Sequence, residues 1–351
     1  MTLLISNDDV AQILTVADCT DALEATYLAA ARGAAAAEPR SVIWSPRGPG
    51  RRHALATLQG AGLAERVAAI RIRSDLYSIA ASASGTRDRK SAGGPGMFCG
   101  LLLLFSIDSG ELLAIANDGL MQQLRVAATA VLASRHLARA DSSRLAVIGA
   151  GNQARWHAIA LAEEHPVREI RVFSPHPARR AAFATELEQR LGVRAVAVSS
   201  ASQAIADADI VATCTNAREP VLHAREIAAG AFVTSVRHRA EMDRTILDLA
   251  DVVVVNDTEG GHQTALGSPA EQEEAGIAPA PPSVAGYPSL VDLLSGRAEG
   301  RDHDSDLCYF MNNQGSGLQF VAVGALALEA AKSRGLGREL PTEWFLQDAS
   351  S

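Results

Sequence analysis

No hydrophobic run in this sequence approaches the roughly 18 residues that a membrane helix requires. The longest runs, such as Leu101–Phe105 and Val252–Val255, have strand length. The first nine residues hold Asp8 and Asp9 and no basic segment, so they do not read as a secretory signal. Basic charge is not in excess: the formal net charge is −8, and no basic face for nucleic acid is advertised. Cysteine is scarce. Cys19, Cys99, Cys214 and Cys308 stand far apart, form no C-x-x-C pair and sit among apolar neighbours, which predicts buried thiols in a reducing, cytoplasmic setting. Nine histidines are present, but none has the H-x-x-x-H spacing with an acid that marks a metal site, and no metal is expected. Internal repeats are absent.

What remains is a chain of 351 residues, long enough for two domains. The stretch Asp8–Arg32 reads as one long helix, ended by Pro39-Arg40. Strands are predicted at Ser41–Trp44, at Ala68–Asp75, at Phe98–Ile107 and at Leu112–Ala116, with a turn at Asp108-Ser-Gly110. Ala68–Asp75 has period two, Ile70 and Ile72 to one side, Arg71 and Arg73 to the other. Residues 80–96, rich in Ser, Gly and charge, read as a mobile loop. A helix follows over Gln122–Ala140. From Arg144 the rhythm becomes strand, helix, strand: Leu145–Ile148, Glu169–Phe173, Arg194–Val198, Ile210–Thr213, Ala231–Val236 and Val252–Val255. Such alternation predicts a doubly wound parallel sheet of Rossmann type. Ala278–Ser283 reads as a linker, Ser289–Leu294 as a short helix, and the tail as a long helix closed by Gly335-Leu-Gly337. The expected fold is α/β, with the parallel sheet in residues 124–307. A second, α+β domain for substrate binding and dimerisation is expected in residues 1–123 plus 308–351.

The segment Arg144–Arg155 carries the sharpest chemistry. Four apolar residues run into Gly149-x-Gly151-x-x-Ala154 and then into a helical pattern. Gly149 permits a tight turn, Gly151 lets the backbone approach a pyrophosphate, and Ala154 keeps helix close to strand. Free N–H groups at the helix start, around Asn152 and Gln153, face the phosphate charge. Thr215 and Asn216, beyond Ile210–Thr213, complete the expected cofactor set. Selectivity is read at the end of the second strand, where an acid would hold the adenosine ribose. Here Ser174, His176, Arg179 and Arg180 follow Phe173 and no acid is present. Ser174 with the cationic groups could hold a 2′-phosphate, which favours NADP(H) over NAD(H). Arg179 and Arg180 read equally as exposed residues of the next helix.

Together these segments resemble the ornithine cyclodeaminase/μ-crystallin family. Pro39-Arg40 follows the first helix as in that family. Asp108–Ala114 resembles its acid-x-Gly-x-x-x-Ala turn, Asn117–Gly119 and Arg125–Ala130 its "DG…R-T-x-A" stretch, and Val147–Ala154 its G-x-G-x-Q-A fingerprint. Ala208–Thr215, Pro220–Leu222 and Gly335–Gly337 also match. The similarity spans nearly the whole chain and is specific for the superfamily, not for one activity. The resemblance implies a two-domain, homodimeric oxidoreductase acting on a small anionic amino or imino acid, with Arg40 and Arg125 holding its carboxylate. A planar guanidinium is the natural clamp for that group.

Two departures shape the expectation. The family's usual strand lysine is Arg71 here, which binds carboxylate but is a poor base. With Arg40, Arg73 and Arg125 it would make a site for a dicarboxylate or other strongly anionic substrate, unless Arg73 pairs with Asp75. In the loop Arg237–Asp243, no aspartate stands where cyclodeaminases place theirs. His238 is the best substitute acid or base, while it reads also as a surface histidine, and Glu241 orients the loop or caps the next helix. Asp75, Asp118, Asn216 and Asn313 could line the cleft. The resulting expectation is an NADPH-dependent reductase of an α-imino acid or ketimine, or the matching amino-acid dehydrogenase in reverse, with Arg71 and His238 at the reacting centre. The alternatives are a cyclodeaminase acting on ornithine or a close analogue, and a non-catalytic NADP(H)-binding protein.

Overall fold

A computed structural model of the chain describes residues 1–82, 85–91, 98–236, 241–258, 261–278, 284–312 and 314–348. His238 and Asn313 lie outside the described residues, as does most of Ala278–Ser283. The strands, in chain order, are β1 (Thr2–Ile5), β2 (Ala35–Ala37), β3 (Ser41–Pro46), β4 (Arg51–Gly62), β5 (Val67–Ser82), β6 (Gly85–Ser91), β7 (Cys99–Ser106), β8 (Leu112–Asn117), β9 (Arg144–Ile148), β10 (Glu169–Phe173), β11 (Arg194–Ala197), β12 (Ile210–Thr213), β13 (Phe232–Ser235), β14 (Val252–Val255), β15 (His262–Ala265), β16 (Cys308–Met311) and β17 (Arg338–Leu340).

They form two sheets. The all-parallel sheet runs β11-β10-β9-β12-β13-β16-β14. β12, β13 and β16 are buried at every position, as strands covered on both faces must be. Strand order reverses between β9 and β12, the switch point where open α/β sheets take ligands. The mixed sheet runs β15-β3-β4-β5-β7-β8-β1-β17, with β2 also on β4 and β6 on β5. The Gly119–Leu137 helix packs on β13 and β16 and against the Asn152–Glu164 and Val16–Ala31 helices, buried almost all round, and the last helix, Gly317–Arg334, packs across β4 and β5 and against the Val16–Ala31 helix. The tail thus folds back on the N-terminal region, and β17 pairs β1.

Several expectations are corrected. The stretch Asp8–Arg32 is two helices, Asn7–Ile13 and Val16–Ala31, because Leu14 is extended and the Thr15 side chain caps Asp18 N–H. Most of the expected loop at 80–96 is strand: β5 continues to Ser82 and turns back as β6, paired from Leu76↔Ser91 to Ser82↔Gly85. Its polar composition hid it, since this hairpin faces a cleft and needs no apolar stripe. The long β4 was not expected at all. Cys308–Met311, expected with the tail in the other domain, pairs with β13 and β14 inside the parallel sheet, and β15 crosses the other way to pair β3. Cys19, Cys214 and Cys308 are buried, but Cys99 is exposed at the start of β7. Among the described residues no helix is long and apolar enough to cross a membrane.

Candidate functional site

A cleft of about 880 Å³ lies between the two sheets. One wall is the switch point of the parallel sheet. Gly149, directly after β9, has φ +124°, and a Cβ there would collide with the Cys214 carbonyl oxygen, so only glycine allows the turn. Gly151 caps the Asn152–Glu164 helix, which has no side-chain cap, and nothing lies within 4 Å of where its Cβ would point. The first helical bond runs from Arg155 N–H to Gly151 O, 2.9 Å, which leaves the earlier amides of that turn to the cleft. Asn152, Gln153, Ser174, His176, Arg179, Thr215 and Asn216 line the cleft with the two glycines. Ala154 does not. It is fully buried, where it packs helix against strand. Arg179 and Arg180 separate: Arg179 is exposed at the cleft and reaches Ala150 O at 3.4 Å, while Arg180 turns back to Ser174 O at 2.9 Å and lies outside the lining. Glu241, wholly buried, accepts hydrogen bonds from Thr213 Oγ1 (3.2 Å) and the Thr215 amide. It therefore holds the turn that carries Thr215 and Asn216.

The facing wall is built by register. The pairs Leu58↔Arg71, Ala56↔Arg73, Ala54↔Asp75 and Arg52↔Tyr77 put all these side chains on one face of β4 and β5. The alanines leave room for the long side chains opposite. Arg71 is buried against Asp118, itself fully buried. Asp118 fits because its neighbour across β7 is Gly100, where any Cβ would strike the carboxylate. Arg73 meets Asp75 at 2.8 Å, so the pairing weighed from sequence does form while Arg73 still lines the cleft. Arg52 and Arg218 share Asp88, at 2.7 and 2.9 Å.

Arg40 and Arg125 differ from these. Neither has a carboxylate partner among the described residues, and the Nε of each is buried without a hydrogen bond. Arg125 Nη1 donates to Gln319 Oε1 at 2.6 Å, and Gln319 is in turn fixed through Thr129 at 2.8 Å. The Phe320 ring lies 5.3 Å from the Arg125 guanidinium and 5.0 Å from that of Arg71. Burial first, then Arg73, lowers Arg40 to about 9; burial, then Arg71, lowers Arg125 to about 9. Both stay cationic at neutral pH. The lowering reflects the cost of holding a cation away from water without an acid beside it.

Sequence reasoning missed the residues that β6 brings to the cleft: Thr86, Arg87, Asp88, Arg89 and Lys90. β6 also bridges the two walls. Asp88 N–H donates to Asn216 O at 3.0 Å, and Asn216 Nδ2 returns a bond to Asp88 O at 2.8 Å. The one available signal was the alternating charge of Thr86–Lys90, which a loop reading absorbs equally well.

The model of the ornithine cyclodeaminase/mu-crystallin family matches residues 1–333. The chain belongs to that family. Its relatives include a Delta(1)-pyrroline-2-carboxylate reductase of Bacillus cereus, 26% identical over 251 residues, covering 69% of this chain and 74% of that protein. The ornithine cyclodeaminase of Agrobacterium fabrum is 31% identical over 214 residues, 59% of this chain and 57% of that protein. Among solved structures, the Delta(1)-pyrroline-2-carboxylate reductase of Thermococcus litoralis, in complex with NADH and L-proline, superposes with a TM-score of 0.80 at 23% identity, covering 97% of this chain and all of that one. The family fold, an all-parallel sheet with a second mixed-sheet domain, extends over 97% of the chain. Family members thus include both reductases and cyclodeaminases.

Proposed function

We propose that this protein is an NADPH-dependent reductase of an α-imino acid or ketimine, able to run in reverse as an amino-acid dehydrogenase. The carrying observation is the pair of guanidiniums without acid partners among the described residues, the buried Arg125 and the half-buried Arg40, across the cleft from an uncapped helix N-terminus at Gly151. That helix turn, with its open space, fits a dinucleotide diphosphate. When bound, the reduced dinucleotide supplies a hydride. The chain's own part is to hold and orient. Arg40 and Arg125 clamp the α-carboxylate, with Arg71, locked by Asp118, completing that wall. Arg71 adds charge and shape; its guanidinium does not exchange protons at neutral pH. Arg73 and Lys90 share one carboxylate, Asp75, which leaves positive charge for a second anionic group on the substrate, a dicarboxylate. Ser174, His176 and Arg179, with no acid following Phe173, favour a 2′-phosphate and hence NADPH over NADH.

A second copy of the chain is the proposed partner. Ile43, Leu55 and Leu101 are exposed on the outer face of the mixed sheet, apolar and uncovered. A Leu55→Asp, Leu101→Asp double variant should elute as a monomer where the parent elutes as a dimer.

The test is NADPH oxidation with a panel of cyclic imines, and of keto acids supplied with ammonia or methylamine, oxaloacetate among them. The expected result is turnover of at least one, with NADPH preferred over NADH. The relative from Agrobacterium keeps a second reading in view, deaminating cyclisation. Ammonia release from ornithine with only catalytic cofactor would establish it and end the reductase reading. Tight NADPH binding with no turnover on any substrate would instead mark a binding protein.

A further inference from the structure

Thirty-two residues of this chain are Lys or Arg, and only Lys90 and Lys332 are lysine. Lys332 lies on the outer surface of the last helix, paired with Glu329. Lys90 lines the cleft. It stands directly across from Tyr77 in the β5–β6 ladder, on the face that carries Arg52 and Asp75. Its Nζ lies 3.3 Å from Asp75 Oδ2, 5.4 Å from the Tyr77 ring centroid and 5.5 Å from that of Phe98. The Tyr77 hydroxyl donates to the same Asp75 oxygen at 3.1 Å, and Arg73 approaches it at 2.8 Å. Arg52 covers the Tyr77 ring at 5.2 Å. These are the charged and titratable groups facing Lys90 from β4 and β5; Asp88 and Arg89 are its neighbours on β6.

Apart from His176, which follows Phe173 on the parallel-sheet wall, the cationic lining is otherwise arginine, which does not give up a proton. An imine nitrogen needs one when its carbon is reduced. We propose that Lys90 is the catalytic proton donor to that nitrogen, with Asp75 and Tyr77 positioning its ammonium. The proposal rests on the reductase reading. One Nζ–H bond breaks, its electron pair stays on Nζ, and the proton forms the new N–H bond of the product. The imine carbon takes a hydride from reduced nicotinamide, which is thereby oxidised by two electrons. The Lys90 side chain is 38% exposed, so the neutral amine regains its proton from water. In the reverse direction the same amine serves as base.

The experiment compares Lys90→Met and Lys90→Arg with the parent protein. Both variants should lose about 10²- to 10⁴-fold in kcat; KM should rise in Lys90→Met, which removes the charge, and stay little changed in Lys90→Arg. Arginine keeps the charge and its contact with Asp75, so a binding or structural role would be rescued by Lys90→Arg and a proton-donating role would not. A second readout needs no cofactor. Amine acylation with peptide mapping follows Lys90 while Lys332 serves as internal control, and L-proline as a probe should slow labelling at Lys90 alone. Substantial activity in Lys90→Arg, or labelling of Lys90 indifferent to the probe, overturns the assignment. So does loss of the pH-dependent limb of kcat in His238→Gln with its retention in Lys90→Met. If the parent protein reduces no imine, the reductase reading itself falls; if it does and Lys90→Arg keeps pace, only the role of Lys90 falls.

Discussion

The two walls of the cleft receive anions by opposite means. The parallel-sheet wall uses mainly backbone: a glycine turn and the free amides of a helix start, with charge only beyond Phe173, at Arg179. The mixed-sheet wall uses side chains, a bank of guanidiniums held on alternate positions of β4 and β5. Backbone donors cost little to bury, since they are part of the fold in any case, and they take phosphates of any owner. Buried guanidiniums are costly, and this wall offsets most of them with its own acids: Arg71 with Asp118, Arg73 with Asp75, Arg52 with Asp88. Of the cleft arginines without an acid partner among the described residues, Arg40 and Arg125 are the two proposed to recognise the substrate. The proposed division is that the neutralised arginines shape this cleft while Arg40 and Arg125 recognise the substrate.

That division can be broken. The largest effect is expected for Arg125→Met: a fall in kcat/KM on the order of 100-fold or more, as for loss of one member of a desolvated charge pair. NADPH affinity, measured by fluorescence titration, should stay within about threefold, under 1 kcal/mol. Equal losses in both would mean that the walls do not act separately.

Acid sharpens the comparison from the other side. His157 lies on the helix that starts at Gly151, fully buried, its Nδ1 2.8 Å from Gln153 O. Burial lowers it to about 4 from an ordinary 6.5. The unfolded chain takes up a proton below about 6.5 that the folded chain refuses until about 4. Stability therefore falls as pH drops through that window, by up to about 3 kcal/mol, and is level above it. Denaturant titrations at pH 7 and pH 4.5 should show the slope, and His157→Gln should flatten it.

A smaller effect separates the two glycines of the turn. Gly149→Ala forces a side chain into a left-handed backbone against Cys214 and should cost about 1–3 kcal/mol in thermal unfolding. Gly151→Val occupies open space at an extended backbone position (φ −111°), so unfolding should be unchanged while NADPH affinity falls about tenfold or more. If Gly151→Val binds NADPH like the parent, the diphosphate does not sit on this helix.

The nucleotide wall was the more legible of the two. Leu145–Ile148 followed by Gly149-x-Gly151 is local in sequence, and a local pattern is enough when the chemistry is backbone chemistry. The roles of Gly149 and Ala154 follow from the strand and helix on either side of them. The other wall was legible only as residue types. Period two put Arg71 and Arg73 on one face, but which arginine has a partner depends on Asp118, forty-seven residues away, and on the glycine at position 100 that admits it. The β5–β6 hairpin was hidden because a strand over a polar cleft carries no apolar alternation. Cys308–Met311 was misplaced because a four-residue buried strand far from its neighbours in the chain has no repeating unit to announce it.

Sequence alone determined the alternation of strand and helix, the glycine turn and the family. Short-range periodicity and backbone sterics suffice for these. Tertiary structure alone decided which cleft cations find an acid among the described residues and that Lys90 stands in the cleft beside Asp75. Both depend on long-range register: Coulomb and desolvation energies are set by distance in space, and the chain's own numbering does not encode that distance.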